Sequence, residues 1–196
     1  MNSEQDRSDR QIIREVLQGD TRSFARLVDR YKGPVYNLAL RMTGSGQDAE
    51  DLAQEIFLKA FLGLGRFDPE RRFFPWLFTV AVNTVRNHLK KPPALTVRPD
   101  AGGQDLPAGV QSNPLKRLED KQRREQFAQA LQQLPFEQRE AVVLRYYQDL
   151  RFDEIAAVCE VPVSTAKMRV YRGLQRLATI LDEKVQPDEP DSRSKH

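Results

Sequence analysis

Residues 92–114 hold five prolines (Pro92, Pro93, Pro99, Pro107 and Pro114) and three glycines (Gly102, Gly103 and Gly109). Proline removes a backbone donor and clashes with the preceding turn, so neither a helix nor a central strand can run through such a stretch. The chain must therefore fold as two pieces, roughly 8–91 and 118–181, with 92–117 as a linker. On both sides apolar residues recur at helical spacing, and neither strand-like alternation nor an internal repeat is present. The expected fold class is all-α, two small helical domains joined by a flexible linker. The charged, proline-bearing tail 182–196 is expected to be disordered.

Composition removes several function classes. The chain has 196 residues, 30% of them charged, and a mean hydropathy of −0.63. Its net charge of +3 and pI of about 9.1 suit nucleic acid without requiring it. One cysteine, Cys159, forbids an internal disulfide and suits a reducing compartment. No run of eighteen apolar residues occurs and the N-terminus is polar, so a cytoplasmic protein without membrane insertion is expected. Two histidines and one cysteine cannot build a zinc site of the usual spacing. Phosphate-cradling glycine loops, paired catalytic carboxylates and nucleophile–base sets are absent too, so no cofactor, metal or enzymatic activity is expected.

Three helices are expected in the first piece. Phe24, Leu27, Val28, Tyr31, Val35 and Leu38 mark one, with Asp20 or Thr21 as its cap and Gly33-Pro34 as a point of bending. Between Gln47 and Leu64, Ala49, Leu52, Ala53, Ile56, Phe57, Ala60, Phe61 and Leu64 form an unbroken apolar face. Opposite it lie Asp51, Gln54, Glu55, Leu58 and Leu62. That mixed strip is either a solvated face with two stray leucines or a docking site, where apolar contact gives affinity and charge gives steering.

The third helix starts near Pro75, a good first-turn residue, and runs to Lys91, with Trp76, Leu77, Val80, Ala81, Thr84 and Leu89 toward the core. Its other side carries Thr79, Asn83, Arg86, Asn87 and Lys90. The loop before it holds Phe67, Arg71, Arg72, Phe73 and Phe74. Aromatic rings beside arginine either pack as core or stack single-stranded bases next to a backbone clamp.

In the second piece, a helix opened by Leu134-Pro135 carries Ala141, Val142, Leu144 and Tyr147. Residues 153–172 then read as a short helix, a tight turn and a second helix. Ile155, Ala156, Val163, Val170, Leu174 and Leu177 are expected inside. From Val161 to Leu181 there are four cations (Lys167, Arg169, Arg172 and Arg176) and no acid, a bias suited to a helix that docks in a DNA major groove. Thr165, Met168, Arg169, Arg172, Gln175 and Arg176 face outward. Cys159, at the turn, reads as a small buried residue or, with no resolving thiol nearby, less readily as a redox sensor.

Together these segments resemble a family. Asp51-Leu52-Ala53-Gln54-Glu55-Ile56-Phe57-Leu58-Lys59-Ala60-Phe61 resembles the polymerase-binding helix of bacterial sigma factors. The run from Phe73 to Asn87 resembles the promoter-melting helix of the extracytoplasmic-function group, nearest its envelope-stress (sigma-E-like) branch. The C-terminal helix-turn-helix resembles the fourth domain of the same group, and the likeness spans about 20–181 apart from the linker.

The resemblance implies a dissociable promoter-recognition subunit of RNA polymerase. Domain two would dock on the clamp helices of the largest subunit through Asp51, Gln54, Glu55, Leu58, Lys59 and Leu62. It would hold the opened minus-ten strand with Phe67, Arg71, Arg72, Phe74, Asn83, Arg86 and Asn87. Domain four would lie on the flap of the second-largest subunit and read duplex minus-thirty-five DNA with Arg145, Thr165, Lys167, Met168, Arg169, Tyr171, Arg172 and Arg176. An anti-sigma factor, often membrane-tethered, is the implied regulatory partner. Two departures fall on reading surfaces: Pro69-Glu70-Arg71-Arg72 where relatives carry Gly-Asp-Ser-Ala, and residues 164–169 where they carry Gly-Thr-Val-Arg-Ser-Arg. Lys167 lacks the bidentate fork of an arginine. A stand-alone helix-turn-helix regulator needs only the C-terminal pattern, but no heptad seam for its dimerisation is present.

Overall fold

Helix α2 (Phe24–Thr43) is the post around which the first half is built. Phe24, Leu27, Tyr31, Val35, Leu38, Ala39 and Met42 recur every three or four positions and are all buried. The helix ends at Gly44, whose φ of 75° is a left-handed conformation that glycine adopts at little cost. Ser45 then caps α3 (Gly46–Gly63), its hydroxyl accepting the Asp48 N–H at 3.2 Å. The start of α2 differs from expectation. Asp20 and Thr21 do not cap it; Asp20 accepts the Ser23 hydroxyl at 2.8 Å beside a 3-10 turn, Thr21–Ser23, and the helix begins at Phe24.

The computed structural model describes residues 3–90 and 114–185, and no strand occurs among them. Most of the expected linker, and the tail from 186 onward, lie outside the described residues. An additional helix, α1 (Ser3–Leu17), precedes the three expected in this half. Its Ile12, Ile13 and Val16 are buried, and its Asp9 accepts from the Tyr31 hydroxyl and the Arg30 guanidinium. Burial raises the Asp9 carboxyl above the usual range, although Tyr31 and Arg30 oppose the shift.

Helix α4 (Phe73–Lys90) is covered on more than one side. Leu77, Ala81 and Thr84 are buried as expected, but so are Phe78, Val82 and Val85, while Leu89 is exposed. The second half explains this, because α4 packs against both the first-half helices and α7 (Phe152–Cys159). An amphipathic helix with two neighbours needs two apolar faces. Pro75 lies in the first turn, where its missing N–H would have no intrahelical partner anyway.

The second half comprises α5 (Pro114–Gln132), α6 (Phe136–Tyr146), α7 and α8 (Val163–Val185). Helix α5 thus begins within the segment expected to be linker, and its first residue is a proline, where a proline suits a helix. Helix α7 ends in a Schellman arrangement: Val161 N–H reaches Ala156 O at 3.0 Å and Glu160 N–H reaches Ala157 O at 3.4 Å, with Glu160 left-handed at φ 56°. Pro162 prevents α7 from continuing and sets the start of α8. On α8 the buried stripe is Ala166, Val170, Gly173 and Leu177. A Cβ on Gly173 would lie 2.7 Å from Val142 Cγ2, so glycine is what lets α6 and α8 approach. Val163, expected inside, is exposed and opens its helix on the solvent side; Tyr147, expected on the helix, follows the end of α6 with its ring under Arg41 at 3.7 Å.

The halves share one apolar cluster and are joined by polar contacts. The last carbonyls of a helix lack intrahelical donors. Those of α2 receive them from the second half: Gln132 Nε2 donates to Arg41 O at 2.9 Å, and Arg139 Nη1 donates to Met42 O at 2.7 Å. A cation there also suits the negative end of the helix dipole. Gln148 Nε2 donates to Pro34 O at 3.3 Å.

Candidate nucleic-acid and partner interfaces

The strip opposite the core face of α3 is open. Asp51, Gln54, Glu55 and Lys59 are exposed, and Leu58 and Leu62 are 59% and 72% exposed. Lys59 Nζ lies 2.6 Å from Glu55 and donates to Thr84 Oγ1 at 3.3 Å, so its charge is turned along the helix and toward α4. Exposed pairs of this kind add little stability. Two leucines that exposed, one turn apart on a face otherwise polar, have no packing role in the chain itself.

The stretch that leads into α4 and its first turn correct two expected site residues. Phe67 and Phe74 are buried, as is Phe73. Phe67 and Phe73 meet edge-on with centroids 5.8 Å apart, Phe73 and Trp76 lie at 5.5 Å, and Phe74 and Phe78 at 4.5 Å. These rings are therefore core, with their faces covered by one another rather than free to stack a base. Asn83, Arg86 and Asn87 do lie together on α4, Asn87 exposed and the other two half-buried. Arg71 is exposed beside Asp68, and Arg72 donates to Asp6 of α1 at 3.0 Å and pairs with Glu154 of α7.

On α8, Lys167, Met168, Tyr171, Arg172 and Arg176 are exposed along one side and Thr165 is half-buried at its edge. Arg172 and Arg176, with Gln138, Gln175 and Thr179, line an open concavity between α8 and α6. Two expected members stand apart. Arg169 is turned inward, 3.9 Å from Glu140, and Arg145 donates to Leu150 O at 3.0 Å, holding the turn after α6.

Glu140 was not anticipated. It is fully buried on α6, where Arg86 Nη2 of α4 donates to its Oε1 at 2.8 Å. Burial raises its carboxyl above the usual range against the opposing effect of Arg86. A signal existed in the sequence: position 140 falls four after Phe136 and three before Val143, on the apolar side of its helix. Cys159 is buried as expected, and its thiol is raised well above the ordinary value, first by burial and then by the Glu140 charge. It should therefore stay protonated in mildly alkaline solution. We expect reaction with a thiol reagent at pH 8 at least about a hundredfold slower in the native chain than in urea. Comparable rates would contradict this placement.

Comparison with known proteins agrees with both halves. Residues 27–92 match sigma-70 region 2, and residues 124–177 match sigma-70 region 4. The chain is 33% identical to the RNA polymerase sigma-H factor of Pseudomonas aeruginosa, over 91% of this chain and 94% of that one. It is 33% identical to the ECF RNA polymerase sigma-E factor of Escherichia coli, over 92% and 95%. The solved structure of CnrH in complex with the cytosolic domain of CnrY is similar, with a TM-score of 0.67 and 26% identity over 89% of this chain and 97% of that one. With both family regions in order on α2–α4 and α5–α8, and close relatives along nearly its whole length, the chain belongs to the extracytoplasmic-function sigma factors of RNA polymerase.

Proposed function

We propose that this chain is an alternative sigma factor of the cytoplasm that directs core RNA polymerase to a stress-response promoter set and is itself no enzyme. The observation that carries the docking half is the α3 strip, where Leu58 and Leu62 stand exposed beside Asp51, Gln54 and Glu55. The clamp helices of the largest subunit take that strip, and the second half rests on the flap. Domain two is residues 8–91 and domain four residues 118–181.

Duplex minus-thirty-five DNA lies along Lys167, Met168, Tyr171, Arg172 and Arg176, with Thr165 at the edge. Arg172 and Arg176 supply phosphate or guanine contacts. The opened minus-ten strand runs past Arg71, Arg72, Asn83, Arg86 and Asn87, with paired hydrogen bonds to base edges rather than stacking on Phe67 or Phe74. An anti-sigma factor holds the chain inactive, a reading supported by the similarity to CnrH, solved with the cytosolic domain of CnrY.

Transcription from a promoter library by core polymerase with and without this chain tests the proposal; no promoter gained on addition would overturn it. Two variants separate the DNA surfaces. Arg172→Ala should weaken upstream protection about tenfold while bound promoters still open, since one good groove contact is worth roughly 1–3 kcal/mol. Asn83→Ala should spare upstream protection and reduce the permanganate reactivity of opened thymines. Normal opening by Asn83→Ala would remove α4 from strand capture.

A further inference from the structure

The stretch between α3 and α4 closes into a turn of its own. Asp68 and Pro69 stand at its first and second positions, the places those residues favour. Asp68 O accepts the Arg71 N–H at 3.0 Å, and Asp68 Oδ1 accepts the Glu70 N–H, also at 3.0 Å. The Glu70 carbonyl lies outside any helix and takes its donor from elsewhere in the chain.

Helix α1 supplies that donor. Asp6, Arg10 and Arg14 are spaced by four, so they form one ridge along the helix beside the buried Ile12, Ile13 and Val16. Arg10 Nη2 donates to Glu70 O at 3.0 Å, and its Nη1 donates to Glu70 Oε2 at 3.3 Å. Arg14 Nη2 lies 3.6 Å from Glu70 Oε1. One helical turn toward the N-terminus, Asp6 accepts from Arg72 Nε at 3.0 Å, and Arg72 also pairs with Glu154. The charges of the ridge thus match those of the turn, acid to Arg72 and bases to Glu70.

These pairs add little to global stability, because Arg14 and Glu70 are 61% and 70% exposed. What they fix is position. Two arms of one planar guanidinium, on the carbonyl and the carboxylate of a single residue, define where the turn sits. Of its two arginines, Arg72 is tied down, while Arg71 is exposed and approaches only Asp68, at 3.7 Å.

We infer that α1 is a splint for this turn and that Arg10 is a positioning residue for promoter reading, fixing Glu70 so that Arg71 meets the opened strand at one set place. The promoter half of this inference rests on the proposed function; the splint does not. A turn held in place before the strand arrives avoids the cost of ordering it on binding. It also makes the contact selective, since a wandering arginine meets phosphates of any sequence.

Hydrogen exchange of the Glu70 and Arg71 amides, followed by NMR in the full-length chain, reads the splint without polymerase. Arg10→Gln should speed both at least about threefold relative to their intrinsic rates, because a charge-assisted hydrogen bond near the surface is lost. The thermal melt should not change. Arg7→Gln removes the same charge from an exposed site on α1 that has no partner on the turn among the described residues, and should alter neither amide. Arg10→Lys keeps the charge without the two-armed fork and should fall between. Should Arg10→Gln melt early, Glu70→Ala, at an exposed position, decides, with exchange of the Arg71 amide expected to rise.

Transcription from the promoter library reads the consequence. With Arg10→Gln, base preference within the minus-ten element should flatten at least about threefold, as expected when a site loses its supporting contact, while preference at minus-thirty-five is kept. Arg71→Ala should flatten the same positions without loosening the turn. Unchanged exchange in Arg10→Gln, or equal acceleration by Arg7→Gln, would overturn the splint. Faster exchange with an unaltered minus-ten preference would overturn the positioning role. If the wild-type chain directs no promoter, the promoter half falls with the sigma assignment, and exchange still judges the splint.

Discussion

Phe73→Ala should destabilise the protein by about 3–5 kcal/mol, the range for removing a well-packed phenylalanine. Phe73 is 2% exposed at the first position of α4 and touches Phe67, Trp76 and Tyr31, the last at a centroid distance of 5.7 Å. Its deletion leaves a void bounded by Tyr31, Phe67 and Trp76, and those rings cannot fill it without disturbing the packing of Phe67 on Trp76, whose centroids are 4.9 Å apart. Urea denaturation followed by circular dichroism measures the loss. The result separates the two roles open to the aromatics at and just before the start of α4. A base-stacking ring could be truncated at little cost to stability while promoter opening failed. A loss below about 1 kcal/mol would therefore return Phe73 to the surface.

That ambiguity shows where the sequence is and is not legible. The apolar face of α3 is unmistakable, since Ala49, Leu52, Ile56, Phe57 and Ala60 repeat at helical spacing and are all buried. The polar strip behind it follows by elimination, and the structure leaves it open. Aromatic residues in a loop carry no such period, and the same residue type serves a core or a stacking platform; only the positions of Tyr31 and Trp76 decide between them. Helix α4 misled for another reason. Phe78, Val82 and Val85 fall off a single-face pattern, and α4 packs on α7 of the second half as well as on the first-half helices; packing between domains leaves no local periodic signature. The outward side of α8 was readable because its cations stand alone. Arg169, expected outward, turns toward Glu140, which lies on another helix, twenty-nine positions earlier in the chain, so no local pattern announces the pair.

Changing Leu58 and Leu62 together to aspartate should weaken binding to core polymerase at least roughly a hundredfold. The fold should be unaffected, with stability shifted by no more than about 0.5 kcal/mol, because the side chains are 59% and 72% exposed. Each leucine gains about 1.5–3 kcal/mol when fully buried in an interface, so losing two exceeds about 3 kcal/mol, or a hundredfold in Kd. Aspartate adds the cost of desolvating a charge and overfills a strip already acidic at Asp51 and Glu55. Apolar anchors at the centre of an interface carry more of its affinity than charges at the rim. Glu55→Lys should therefore act more weakly, and mainly through the association rate, since its charge steers the encounter. Competition between a labelled wild-type chain and each variant for core polymerase, with thermal melts of the free proteins, measures both effects. Equal competition by the double-aspartate chain would show that α3 is not the docking helix. A double variant that lost to Glu55→Lys in its effect would show that charge, not apolar burial, holds the complex together.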